Sequence, residues 1–154
     1  MPYLPQLKVI FLDEFLKISC DETIRLIYLE WLQHPVSEAF RPRFQKATEL
    51  AKEKNIQYWL SDSQAIHYLE LADQNWLVQE FKSILSQSNM KKFARVTTIE
   101  SFSLVDMSQT FNRFNNELDK LKVEFEEFLD NQEAINWILA DVDQAANAVN
   151  SFRN

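Results

Sequence analysis

Ile56-Gln57-Tyr58-Trp59-Leu60, running into Ser61-Asp62-Ser63-Gln64, is the stretch on which the fold depends. Five mostly apolar residues follow a helical pattern and lead into small polar ones. Such a run reads as a buried strand, placed parallel to a neighbour by a helical crossover. Upstream, Phe40, Phe44, Ala47 and Ala51 recur at helical spacing. His34-Pro35-Val36-Ser37 interrupts the strand before that helix, and Ser37 stands where an N-cap is expected. Pro42 falls near the first turns, and Lys54-Asn55 closes the helix. Downstream, helical patterning resumes from about Gln64. Asp73 is the expected cap of a segment holding Trp76, Leu77, Phe81, Ile84 and Leu85. A loop over 86–89 then leads to a strand over Phe93–Thr98.

The flanks complete the pattern. Leu7, Val9 and Phe11 alternate with polar neighbours, Phe15–Ser19 is short and apolar, and Ile24–Leu32 follows a turn at Cys20-Asp21-Glu22. These three segments predict an antiparallel meander. Leu104, Met107, Phe111, Phe114 and Leu118 predict a helix, as do Ile135, Ile138, Val142, Ala145, Val149 and Phe152. Between them Leu121, Val123 and Phe125 alternate with Lys122, Glu124 and Glu126, which predicts a strand wet on one face and near an edge. The expected fold class is α/β: a mixed β-sheet with an N-terminal antiparallel meander and βαβ units, helices packed on the sheet. The length of 154 residues fits one domain over 1–154.

The chain contains no glycine. Phosphate-cradling loops and the dinucleotide fingerprint need residues free to adopt positive φ and to let amides approach an anion closely. Both are excluded, and so is the serine nucleophile elbow with its flanking glycines. Turns must rely on Asn, Asp, Pro and Ser. The net charge of −7, without a basic run, argues against nucleic acid. One cysteine, Cys20, excludes a disulfide framework, and its acidic neighbours Asp21 and Glu22 argue against a reactive thiolate. No leader pattern and no membrane span are read, so the expected compartment is the cytoplasm. Twelve Phe, four Trp and four Tyr predict a large aromatic core.

No cofactor or metal site and no catalytic set is read from the residues. The candidate site is Trp59, Ser61, Asp62 and Ser63, where a buried strand ends and a helix is expected to begin. Strand ends gather ligands in open α/β sheets, and helix N-termini attract anions. Capping alone would also explain the three polar residues. His67, Glu70 and Asp73 share one helical spacing, with a solvated helix face as the plainer explanation. Ser61, His67 and Asp62 are the residues of a conceivable triad, although nearness in sequence fixes no geometry. Lys91, Lys92 and Arg95 form a small basic cluster, conceivably an anion or acidic-partner contact, with a solvated loop and strand edge as the plainer explanation.

Two stretches carry a resemblance. Lys92-Phe93-Ala94-Arg95-Val96 and Phe128-Leu129-Asp130-Asn131-Gln132-Glu133-Ala134-Ile135-Asn136-Trp137-Ile138 are similar to strands and the final helix of SpoIIAA-like, STAS/SEC14-type domains. The resemblance implies a SpoIIAA-like sheet and a non-enzymatic regulatory or protein-binding module. In STAS regulators a strand end carries Asp-Ser-Ser-Gly, and its first serine is phosphorylated to break a partner complex. Asp62-Ser63 would stand in that place, with Gln64 and Ala65 where the second serine and the glycine would be. The SEC14 branch implies the alternative, a cavity between sheet and helices for an apolar, lipid-like small molecule.

Overall fold

Six strands lie in one sheet, in the order of the sequence, in the computed structural model, which describes residues 4–98 and 123–153. β1 (Lys8–Leu12), β2 (Leu16–Asp21) and β3 (Leu26–Trp31) form an antiparallel meander. β4 (Tyr58–Asp62), β5 (Lys92–Val96) and β6 (Glu124–Phe128) continue it, each parallel to its predecessor. α1 (Ser37–Glu53) connects β3 to β4, α2 (Leu71–Gln87) connects β4 to β5, and α3 (Asn131–Arg153) follows β6. The fold is thus α/β, a mixed sheet of a meander and parallel strands with helices packed on it.

The period of two along each strand divides the core. One face presents Ile27, Leu29, Trp31, Trp59 and Phe93 to Phe40 and Phe44 of α1 and Phe81 of α2. The other presents Leu26, Tyr28, Tyr58, Leu60 and Ala94 to Ala134 and Ile138 of α3. Much of the phenylalanine surplus sits in the first layer. Trp59 lies 5.6 Å from Phe44 and 5.6 Å from Phe93, and Phe81 meets Phe93 edge-on at 4.8 Å. Such pairs add about 0.5–1.5 kcal/mol each beyond the area they bury.

Turns without glycine are built from carboxylates and left-handed residues. Asp13 Oδ1 accepts the amides of Phe15 and Leu16 at 2.8 and 2.9 Å, while its Oδ2 accepts Arg43 Nε of α1 at 2.7 Å. Asp21 Oδ1 accepts from Thr23 N at 3.0 Å, and its Oδ2 from Gln6 N at 2.9 Å. Arg25 and Asn55 take positive φ, 60° and 52°. The carbonyl of Arg25 accepts the amides of Gln57 and Tyr58 at 2.9 and 3.1 Å, which aligns the start of β4 with that of β3.

The Asp13 turn gives a pH-dependent prediction. Partial burial pushes its carboxyl up, but the two amides and the Arg43 guanidinium outweigh this and hold it below its ordinary value of 3.8. A depressed carboxylate stabilises the fold above its unfolded value and loses that contribution as pH falls through the folded one. Asp13→Ala therefore costs about 2 kcal/mol near neutral pH. In urea titrations the gap to the unsubstituted chain closes below pH 3.8.

Several sequence expectations shift. β4 begins at Tyr58 rather than Ile56 and includes Ser61 and Asp62, because Asn55 and Gln57 are used in the turn. α2 begins at Leu71, not near Gln64, and its N-cap is Glu70, with Asp73 inside the first turn. Asp73 is buried there, its Oδ1 accepting Arg41 Nε at 2.7 Å, so the expected solvated face is not present at that residue. Val36, whose side chain makes no cap bond, occupies the N-cap of α1 in place of Ser37. The strand expected from Leu121 begins at Glu124, with Glu124 and Glu126 exposed on the edge. Lys92 and Arg95 are buried, contrary to the expected solvated edge. Lys92 Nζ donates to the carbonyl of Trp137 at 2.8 Å, pairs with Asp141 at 3.1 Å and lies 4.5 Å from the Trp137 ring. The helix expected over 104–118 lies outside the described residues.

Candidate functional site at the carboxyl ends of β4 to β6

Strand register builds the site row by row. Trp59, Phe93 and Phe125 are neighbours across β4, β5 and β6 on the face covered by α1 and α2. Two residues further on, the same face carries Ser61, Arg95 and Glu127, again in register. An apolar rung is thus followed by a polar one inside the same layer. Ser61 is 6% exposed and Arg95 7%.

Beyond β4 the chain turns back over this rung. Ser63 N donates to the carbonyl of Val96 at 2.8 Å, and the Ser61 and Ser63 hydroxyl oxygens lie 3.2 Å apart. Ser63, Ile66 and Leu69 of the segment 63–70 line a cavity of about 30 Å³ at this strand end. Ser61, Ser63 and Arg95 form its polar side, while Trp31, Phe40 and Leu69 are among its apolar walls. This space holds one or two water molecules.

Arg95 Nη1 lies 3.6 Å from Glu127 Oε2, an ion pair longer than a hydrogen bond. Burial lowers the guanidinium pKa, against the pull of Glu127. The group remains a cation, because its intrinsic basicity is so high. Burial also pushes the Glu127 carboxyl above its ordinary value, with Arg95 opposing and Glu126 reinforcing.

The segment 63–70 is latched to the loop before α1. His34 Nδ1 accepts the amide of His67 at 3.1 Å, and the His34 ring lies 5.4 Å from that of His67 and 4.6 Å from Tyr68. Burial first, and the neighbouring His67 second, push His34 below its ordinary value. The ring is thereby kept neutral, as an accepting Nδ1 requires.

The four residues singled out from the sequence divide between two environments. Ser61 and Ser63 face the cavity. Asp62 points to the opposite face, where its carboxylate accepts Gln64 N and Asn131 Nδ2, both at 3.1 Å. It tethers β4 to the N-terminus of α3, whose dipole favours a carboxylate there. Trp59 is fully buried one rung below, and its Nε1 has no acceptor among the described residues. Ser61, Asp62 and His67 therefore do not converge. Cys20 is buried in β2, and burial first, then Glu22 and Asp21, raise its thiol pKa, with Lys54 opposing.

Glu127 is the member of this site that sequence reading passed over, and Arg95 was read as part of a basic cluster and not placed with the serines. The signal was available: Phe93 is a core residue, and a period of two places Arg95 on its face. The rim has a second property. Among the described residues nine large apolar side chains are exposed. Six of them, Leu12, Leu32, Val36, Tyr68, Leu71 and Leu129, flank this end of the sheet, so exposed apolar surface is concentrated here.

Among the described residues no three His, Cys, Asp or Glu side chains are grouped to hold a metal ion, and no helix is long and apolar enough to cross a membrane. The chain matches no family model, no curated protein and no solved structure.

Proposed function

We propose that the chain is a non-enzymatic binding module of the regulatory, SpoIIAA-like type, which engages a protein partner at the carboxyl end of its sheet. The observation that carries this is the apolar rim of Leu32, Val36, Tyr68, Leu71 and Leu129 around the Ser61–Ser63 turn. Exposed apolar side chains gathered at one end, rather than scattered, mark contact surfaces. The resemblance of the β5 and α3 segments to STAS-type domains supports the regulatory role. Ser63 is 5% exposed, so a kinase would reach its hydroxyl once the turn that carries it opens.

A photo-crosslinking amino acid at Tyr68 tests the contact. In host cells it gives one discrete protein adduct, whereas the same group at Glu22, at the opposite end of the sheet, gives none. Absence of an adduct at Tyr68, or the same products from both positions, would overturn the reading. An apolar, lipid-like ligand, the alternative, would need roughly 300 Å³ or more. The cavity at this strand end offers about 30 Å³.

A further inference from the structure

We propose that the cavity beside the 63–70 segment is a recognition pocket for a short-chain monocarboxylate, held by Arg95 with the Ser61 and Ser63 hydroxyls. The pocket lies inside the rim proposed for protein docking, but it does not depend on that reading: the partner would use exposed side chains, and this ligand uses buried ones.

The first ground is an under-partnered cation. The Arg95 side chain is 8% exposed, and among the described residues its partner is Glu127, 3.6 Å from Nη1. That distance is longer than a hydrogen bond. A guanidinium offers five donors in a planar fork that matches the two oxygens of a carboxylate. An ion pair in such a place is often replaceable by apolar residues without loss of stability. Retaining a charge beside Phe93 and Trp59 is therefore a sign of use rather than of packing.

The second ground is the shape and chemistry of the space. Arg95, Ser61 and Ser63 line the same cavity. Its volume of about 30 Å³ matches the two oxygens of one carboxylate displacing one or two waters. Trp31, Phe40 and Leu69 supply an apolar wall for a short alkyl stub.

The test is a titration of the full-length, nitrogen-15-labelled protein with acetate, propionate, butyrate and, separately, inorganic phosphate, followed by NMR. The expected result is saturable shifts of the Trp31 indole and the Ser63 amide with a carboxylate, at a Kd no weaker than about 10 mM. The Trp137 indole, on the opposite face, stays unmoved. The double variant Arg95→Met/Glu127→Leu, which keeps the layer apolar and filled, weakens binding at least about tenfold. Arg95→Lys, which keeps the charge but loses the fork, weakens it as well. No saturation by any of the three carboxylates in the unsubstituted protein overturns the proposal, whatever the variants do. So does unchanged affinity in a folded variant, or phosphate binding tighter than acetate.

Discussion

Glu127→Ala lowers the unfolding free energy by about 3–5 kcal/mol, because it strands a buried guanidinium without a counter-charge. Arg95 and Glu127 are 8% and 12% exposed at their side chains, so solvent offers little compensation. A loss of this size is a large share of the roughly 5–15 kcal/mol by which a domain is stable. Arg95→Met/Glu127→Leu removes both charges and recovers most of the loss, which separates the cost of an orphaned ion from any loss of packing. Equilibrium unfolding in urea measures both variants. A loss below about 1 kcal/mol for Glu127→Ala would mean that water reaches the guanidinium freely.

Trp59→Ala is expected to cost about 3–5 kcal/mol, the range for emptying a buried aromatic site. The indole is 0% exposed and packs between Phe44 and Phe93, both 5.6 Å away, so the hole cannot close without moving α1 against the sheet. Trp59→Phe separates two opposing effects. It loses part of the ring area but also removes Nε1–H, a buried donor with no acceptor among the described residues. An unmet buried donor costs about 1–3 kcal/mol, so the phenylalanine variant falls within about 1 kcal/mol of the original. Urea midpoints at constant m-value distinguish the two substitutions, and equal losses would show that the indole nitrogen has an acceptor.

What could be read from the sequence follows the range of the forces involved. The meander, α1 and α3 rest on local periodicity and were legible from Ile24–Leu32, from Phe40, Phe44 and Ala47, and from Ile135, Ile138 and Val142. The end of β4 was not. Whether Ser61 and Asp62 extend a strand or start a helix is decided by partners far along the chain: Val96 for the Ser63 amide, His34 for that of His67 and Asn131 for the Asp62 carboxylate. Serine and aspartate cap helices so often that the local signal pointed the wrong way. Arg95 and Lys92 were misplaced because charge ordinarily signals solvent. Each is instead held inside by a carboxylate from another element, Glu127 or Asp141. Of the candidate site, Ser61 and Ser63 were visible and Arg95 was noticed only as part of a basic cluster, since the register that sets it beside Ser61 is a long-range pairing.

The strands stand side by side in the order in which they are synthesised. A chain leaving the ribosome can therefore lay each new strand on an edge that already exists, with no slot to be held open for a later segment. β1 to β3 can pair before α1 has emerged, and β4 can then dock on β3 while the remainder is still inside the exit tunnel. Sheets that insert late strands between early ones must leave a hydrophobic gap exposed during translation. This one exposes a single growing edge, and the last described strand to cover it carries Glu124 and Glu126 outward, so growth ends on a charged border that discourages pairing with another chain.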